Sequence, residues 1–265
     1  AVVVPLDKDL PGGRLASIIE QTAPVLQITD ELAETMLTEG KELTFCPANK
    51  QMSSQDVIAI LYTSGSTGVP KGVMACHRSV IDYIEELCAV LKFDENSVFG
   101  NQTPLYFDAC LKEIIPTIKY GATTVLIPKQ LFMFPIKLVE FLNEYEINTL
   151  CWVVSALTMI SAFRTFDKVR PLYLKTIAFA SEVFPIKQFN IWKSVLPECR
   201  FINLYGPPET TGICCYYEVD REFSEDETLP IGRPFKNTEV ILLNDKDERA
   251  AVGEQGEICI RGTRL

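Results

Sequence analysis

The sequence holds a single histidine, His77, among 265 residues. A multi-histidine metal site is therefore impossible, and any Ser-His-Asp triad would have to use that residue. Positive charge is also in short supply. Lys+Arg is 25 against Asp+Glu 35, a formal net charge of −10, which argues against bulk nucleic-acid binding, since that rests on neutralising phosphates. A small local phosphate site stays open. The cysteines, at 46, 76, 88, 110, 151, 199, 214, 215 and 259, are odd in number and include no CxxC pair. Neither a disulfide framework nor a zinc site is indicated, and the thiols read as small hydrophobes of a reduced cytoplasmic protein. No apolar run reaches membrane length, because the longest, 149–163, is broken by Ser and Thr. Residues 1–6 are apolar but lack the basic flank and following core of a signal peptide.

What is present is ordinary globular composition, with 47% hydrophobic and 23% charged residues, enough for a sizeable core and one or two domains. Short β-branched runs alternate with helical patterns, which predicts an α/β fold with largely parallel sheets. Pro11-Gly12-Gly13 opens a helix. The apolar run 25–28 reads as a strand, Asp30 as the cap of a short helix, and Gly40 as its end. Strands are expected at 56–62, 123–127 (buried), 149–154, 176–179 and 201–204. Helices are expected at 78–91, from Pro135, at 156–166 and at 185–195. From about 229 the texture changes to two short strands around a turn-rich segment, so 1–228 reads as an α/β region and 229–265 as the start of a small β subdomain. Both ends read as internal to a longer chain. His77 reads as a capping or packing group, Trp152 and Trp192 as core, and Cys214-Cys215 as strand packing, with a vicinal thiol pair that could be oxidised.

The strongest local signal is Thr63-Ser64-Gly65-Ser66-Thr67-Gly68-Val69-Pro70-Lys71-Gly72. Its glycines permit close backbone approach, its hydroxyls and amides can bond phosphate oxygens, and Lys71 adds a mobile charge. It is not a Walker A loop, because Lys71 is followed by Gly72. A second segment, Asn203-Leu204-Tyr205-Gly206-Pro207-Pro208-Glu209-Thr210-Thr211-Gly212, offers an aromatic face, a carboxylate suited to Mg²⁺ and hydroxyls. The third, Phe107-Asp108-Ala109-Cys110, carries an Asp that by itself reads as a helix cap.

Together and in this order, these segments resemble the adenylate-forming superfamily, closest to amino-acid adenylation domains of nonribosomal peptide synthetases and D-alanine–carrier-protein ligases. Val4-Pro5-Leu6-Asp7, Pro230-Ile231-Gly232-Arg233-Pro234 and Gly256-Glu257-Ile258-Cys259-Ile260-Arg261-Gly262 extend the match along the whole chain. The resemblance implies a layered αβαβα fold that leads into a β-barrel-like subdomain. It also implies activation of an amino acid with ATP and Mg²⁺, followed by transfer to the phosphopantetheine thiol of a peptidyl or acyl carrier protein. No nucleic-acid or membrane partner is expected. Carried over residue by residue, it assigns Thr63, Ser64, Gly65, Ser66, Thr67, Gly68 and Lys71 to the phosphates. Ser181, Asn203, Tyr205 and Gly206 go to the adenosine side, with Tyr205 stacking on adenine and Asn203 bonding its exocyclic amine. Glu209 goes to Mg²⁺, so Lys71 and Glu209 are the groups placed nearest the reacting phosphates. Asp108 is assigned to the substrate ammonium. Ala109, Lys112, Cys151, Ala178, Ala180, Leu204, Gly212 and Ile213 are assigned to a roomy side-chain pocket in which Lys112 is the only charge. Lys112 then pairs either with a substrate side chain or with Asp108.

Two local departures and one of extent stand out. Pro208 replaces the family's usual Thr, and Ala180-Ser181-Glu182 replaces a Gly-Gly-Glu-like turn. The family's ribose-binding Asp, hinge and C-terminal domain with its catalytic Lys have no match here, which implies that this chain alone is not competent. An acyl- or aryl-CoA ligase and an inactive nucleotide-binding remnant remain alternatives.

Overall fold

A computed structural model describes residues 2–7, 9–38, 52–63, 70–105, 107–263 and 265. After Pro11 comes helix α1 (Gly12–Thr22), and after Thr29 comes α2 (Asp30–Thr38). Strands β1 (Val57–Thr63) and β2 (Lys71–Cys76) pair antiparallel, with Thr63 opposite Lys71. Helix α3 (His77–Leu91) starts at once, capped reciprocally by Cys76 and Ser79. An alternating run follows: β3 (Val98–Asn101), α4 (Leu111–Tyr120), β4 (Thr123–Leu126), α5 (Pro135–Glu144), β5 (Thr149–Val153), α6 (Val154–Ala162), β6 (Thr176–Ala180), α7 (Ile186–Val195) and β7 (Arg200–Tyr205). The chain closes with β8 (Cys215–Glu218), β9 (Arg233–Pro234), β10 (Thr238–Leu243) and β11 (Glu257–Gly262).

The main sheet has the order β4-β3-β5-β6-β7-β8-β9. Its first five strands are parallel, and β8 and β9 join antiparallel. β9 belongs to this sheet although it lies beyond residue 228, and β10 and β11 form a separate hairpin. Alternation along the strands splits the core into two faces. Leu150, Trp152, Ile177, Phe179 and Phe201 pack with Leu138, Leu157, Ile160, Phe189 and Trp192 of α5, α6 and α7. On the other face Phe99, Cys151, Ala178, Ile202 and Leu204 pack with Val80, Tyr83, Ile84 and Leu87 of α3. Both tryptophans are fully buried, and each indole N–H finds a carbonyl, Trp152 at Gly100 (2.7 Å) and Trp192 at Leu157 (3.0 Å).

The sequence reading differs from the structure in several places. The run 25–28 forms no strand: no neighbouring strand offers it a ladder, and Val25, Leu26 and Ile28 are exposed. The cap of α2 is Thr29 rather than Asp30, since the Thr29 hydroxyl accepts the Leu32 amide at 3.3 Å; Gly40 lies outside the described residues. β4 is an edge strand with Thr123 and Leu126 exposed, not a buried one. The glycine-rich segment joins two antiparallel strands, so β2 takes the place of the helix that an α/β unit would supply. Among the described residues, no helix is long and apolar enough to cross a membrane.

Arg200 fixes α3 to the sheet. Its Nη1 and Nη2 donate to the carbonyls of Leu91 (2.9 Å) and Val90 (3.0 Å) at the end of α3, and Nε donates to Glu218 Oε1 at 2.7 Å. This bond holds the Glu218 carboxyl below its usual range. Helix-terminal carbonyls without intrahelical partners need such donors. Arg200→Ala should therefore destabilise the protein by about 1–3 kcal/mol, lowering the melting temperature by several degrees in a thermal scan. Glu218→Gln should cost less, because that pair is partly exposed.

Candidate functional site

In a parallel sheet, ligand sites form beyond the carboxyl ends of the strands, above all where strand order reverses direction. Here that reversal lies between β3 and β5: the chain goes from β3 outward to β4, then crosses back to β5. The turn bearing Asp108 follows β3, Ala180-Ser181-Glu182 ends and follows β6, and Tyr205-Gly206-Pro207-Pro208-Glu209 ends and follows β7. Segments far apart in sequence thus reach one edge of the sheet.

Thr63 and Lys71 close the β1–β2 hairpin as a cross-strand pair, Thr63 half-buried and Lys71 exposed. Ser64, Gly65, Ser66, Thr67 and Gly68 lie outside the described residues. β2 lies against the short 3-10 turn Pro208–Thr210, so the two motifs meet across more than a hundred residues of chain. Glu209 is exposed on this turn. Pro208 is half-buried, and the Thr210 hydroxyl lies 2.8 Å from both the Pro207 and the Gly212 carbonyls. The segment doubles back tightly, and a Cβ on Gly206 would lie 2.1 Å from the Gly212 carbonyl oxygen. Only glycine allows that approach.

Asn203 is half-buried and donates from Nδ2 to the Pro230 carbonyl at 2.8 Å. Its Oδ1 is left to act as acceptor. Tyr205 is half-buried at the strand end, and burial pushes its phenol up. A cleft of about 560 Å³ is lined by Tyr216, Tyr217, Pro230 and Arg233 among others. It adjoins Asn203 through Pro230, and Arg233 Nε donates to the Tyr216 hydroxyl at 2.8 Å. Tyr216 was not singled out from the sequence, and Arg233 only as part of the segment 230–234. Ser181 is exposed, with φ +77, a left-handed conformation that disfavours side chains and favours the glycine usual in related turns. Its neighbour Glu182 accepts the Ser155 amide of α6 at 2.7 Å, a favourable placement of a carboxylate at a helix start.

Cys151, Ala178, Ala180, Leu204 and Ile213 gather on the α3 face of the sheet, all buried. Gly212 is buried too, with φ +105, and a Cβ there would sit 2.9 Å from the Tyr83 ring. Six of the eight residues expected to line a roomy pocket thus lie close together, packed into the hydrophobic core beneath α3. Asp108 and Ala109 lie on the 3-10 turn Asp108–Cys110 that precedes α4. Lys112 is 4% exposed and Glu113 0%. Glu113 Oε2 accepts from the Asn101 amide of β3, and Oε1 has no hydrogen-bond partner among the described residues. Burial is the main influence on Glu113 and pushes its carboxyl up to about 7, opposed by the Lys112 charge and the Asn101 bond. Burial chiefly, then Glu113, pushes the Cys151 thiol up. No sequence rule had marked Glu113. No group of three or more metal-ligating side chains occurs among the described residues. The single exposed carboxylate of Glu209 suits Mg²⁺, which takes one or two carboxylates and completes its shell with waters and phosphates.

The Glu113 shift has a measurable consequence. The folded protein keeps this proton up to about pH 7, whereas an unfolded chain releases it near the ordinary 4.5. Between these values the folded state binds more protons, so Glu113 makes stability fall as pH rises through the window, on the order of 3 kcal/mol. Glu113→Gln should remove that component. Denaturant melts of both proteins from acidic to neutral pH should give curves that converge at low pH and separate as pH rises, with the variant the more stable above pH 7.

Comparison with known proteins agrees with this architecture. The L-proline--[L-prolyl-carrier protein] ligase of Pseudomonas fluorescens is 30% identical over 286 residues, covering 98% of this chain and 57% of the relative. The D-alanine--D-alanyl carrier protein ligase of Bacillus licheniformis is 26% identical, covering 99% and 55%. The chain therefore spans about half the length of these relatives. The N-terminal subdomain of Klebsiella oxytoca NpsA, solved in complex with 3-hydroxyanthranilyl-AMSN, superposes with a TM-score of 0.81 at 20% identity, covering 100% of this chain and 69% of that one. The family described as AMP-binding enzyme matches residues 1–265, and the chain belongs to it.

Proposed function

We propose that the protein containing this chain activates an amino acid with ATP as an aminoacyl-adenylate and passes it to the phosphopantetheine thiol of a carrier protein. The observation that carries this reading is the meeting of the β2 strand, which begins at Lys71, with the Pro208–Thr210 turn that bears Glu209. The named activities of the proline and D-alanine relatives are of this kind. In the first step a substrate carboxylate oxygen attacks the α-phosphorus and pyrophosphate leaves. In the second the carrier thiolate attacks the acyl carbon, AMP leaves and a thioester forms. The protein's part is to position the reactants and offset charge.

Lys71, with the hydroxyls and amides of residues 63–68, holds the phosphates and stabilises the departing pyrophosphate. Glu209 would hold a Mg²⁺ ion, which when bound would neutralise further phosphate charge. Asn203 accepts from the adenine amine through Oδ1, because its Nδ2 is already committed to Pro230. Tyr205 covers the base, and Gly206 and Ser181 shape its surroundings. The cleft beside Asn203 is of the size usual for small-molecule sites. Asp108 pairs with the substrate ammonium, a charge-assisted bond that is strong in a site closed to water. Ala109, Lys112, Cys151, Ala178, Ala180, Leu204, Gly212 and Ile213 surround the side chain. Residues 1–228 serve as the α/β part of the large lobe and 229–265 as the start of a β subdomain. The free thiols suit a cytoplasmic setting.

ATP–pyrophosphate exchange by the complete protein, with pooled amino acids, tests the reading. Lys71→Ala should slow exchange by about tenfold to a hundredfold, the value of one charged contact, and unchanged kinetics would remove Lys71 from the site. Asp108→Asn should depress activity on α-amino acids far more than on the matching des-amino acids. Equal losses on both would make Asp108 a structural cap and favour an acyl- or aryl-CoA ligase.

A further inference from the structure

Among the residues assigned to the side-chain pocket, Gly212 alone brings no side chain. Its φ of +105 is a conformation that other residues rarely adopt, so position 212 is not suited to supply a wall. What stands in that place is Tyr83. A Cβ on Gly212 would lie 2.9 Å from Cζ of the Tyr83 ring, 3.0 Å from Cε1 and 3.3 Å from Cε2. The hydroxyl-bearing end of the ring therefore lies against the glycine. Tyr83 comes from α3 and is 1% exposed. It belongs to the buried cluster that also holds Cys151, Ala178, Ala180, Leu204 and Ile213. Three of those five are small. Interiors pack close to crystal density, so a large side chain on one element fills the room that small ones on another leave.

Neither partner in this contact is free to retreat. The Gly212 carbonyl lies 2.8 Å from the Thr210 hydroxyl and presses against Gly206. Helix α3 is capped by Cys76 and Ser79 at its start, and Arg200 bonds its last carbonyls. The ring is thus held between two fixed pieces of backbone.

Resting on the adenylation reading and its side-chain pocket, we propose that Tyr83 is a specificity-determining residue. Its ring forms the end wall of the pocket at Gly212 and limits the substrate to amino acids with short side chains, such as glycine, alanine and serine. A longer side chain meets a buried ring that has nowhere to go, and forcing extra methylenes into a filled core is unfavourable. The small lining residues set the width of the pocket, and a residue from the opposite layer sets its depth.

The experiment is pyrophosphate exchange by the complete protein over a series of increasing size: glycine, alanine, serine, valine, leucine and phenylalanine. The wild type should use leucine and phenylalanine about tenfold or more less efficiently than alanine in kcat/KM, since a step of one methylene in a closed pocket is worth about that much. Tyr83→Ala should raise the leucine-to-alanine ratio by about tenfold or more, whereas Tyr83→Phe keeps the ring and should keep the wild-type ranking. Added p-cresol, which matches the lost side chain, should occupy the vacated space and return the Tyr83→Ala ranking toward wild type. A ring that only packs would lower activity on every substrate alike and leave the ranking in place. Where Tyr83→Ala fails to fold, Tyr83→Leu retains part of the core and should move the ranking in the same direction. A wild type that takes leucine or phenylalanine as well as alanine overturns the proposal and leaves adenylation standing, as does a folded Tyr83→Ala or Tyr83→Leu enzyme with the wild-type ranking. Absence of exchange with every amino acid in the wild type overturns the adenylation reading and this proposal with it.

Discussion

Strand β6 buries all five of its residues, Thr176 to Ala180, and much of the architecture follows from that. A strand covered on both faces must sit in the middle of a sheet with a layer on each side, the condition that parallel sheets require. Ile177 and Phe179 contribute to one core, Ala178 and Ala180 to the other. Helices α5, α6 and α7 take the first face, and α3 takes the second. With both faces occupied and the strands parallel, the loops after β3, β6 and β7 all emerge at the same edge. That edge is where the candidate site lies, so its location follows from core burial before any chemistry is considered.

Backbone shape at this edge depends on a few unusual positions. Gly206 and Gly212 pass so closely that a methyl group at Gly206 would collide with backbone, and the turn between them places Glu209 next to the β1–β2 hairpin. Ser181 holds a left-handed conformation without being glycine. Such strain costs about a kilocalorie or more and persists only where the surroundings impose it. Here the Glu182 carboxylate clamps the same turn to the first turn of α6. The edge is thus built for shape at some expense of local preference.

Much of this was legible in the sequence, for identifiable reasons. Runs such as Ile-Leu-Tyr in β1 and Leu-Cys-Trp-Val in β5 signal themselves by branching and apolarity, and the glycine-rich segment 63–72 does so by composition. The strands that escaped notice are β2, β3, β9 and all of β8 beyond the Cys214-Cys215 pair. β3 reads Val-Phe-Gly-Asn, and its glycine suggests a turn. In the fold Gly100 is in the strand because Ile127, Ile147 and Leu150 pack where its side chain would be. β2 was hidden by Lys71-Gly72, which reads as the end of a polar loop, and β8 by the Gly-Pro-Pro turn and glycine before it. The opposite error at 25–28 has the same root. Propensity reports what a segment tolerates, and pairing with a partner strand decides whether it forms. Glu113 escaped because sequence spacing directs attention to Asp108, four residues before Lys112. The available signal was that Glu113 and Pro116, three apart, share the buried side of α4.

The charged groups around the candidate site fall into two classes, and burial separates them. Lys71 and Glu209 are exposed. In the proposed reaction they act on charges that arrive with the nucleotide and its metal, so before binding each is stabilised by water and needs no protein partner. A protein of net charge −10 cannot draw in ATP by its overall field, which leaves recruitment to local cations such as Lys71. Lys112 and Glu113 stand at the other extreme. Both lie on α4 almost closed to solvent, and for Glu113 the cost of burial outweighs the nearby Lys112 charge. Groups that are exposed before binding can serve any substrate that brings the same phosphate chain, whereas buried, closely packed residues respond to the size and polarity of whatever is placed against them. On the proposed reading, the nucleotide half of the site is therefore the tolerant half, and the buried residues beneath α3 are where one amino acid is told from another.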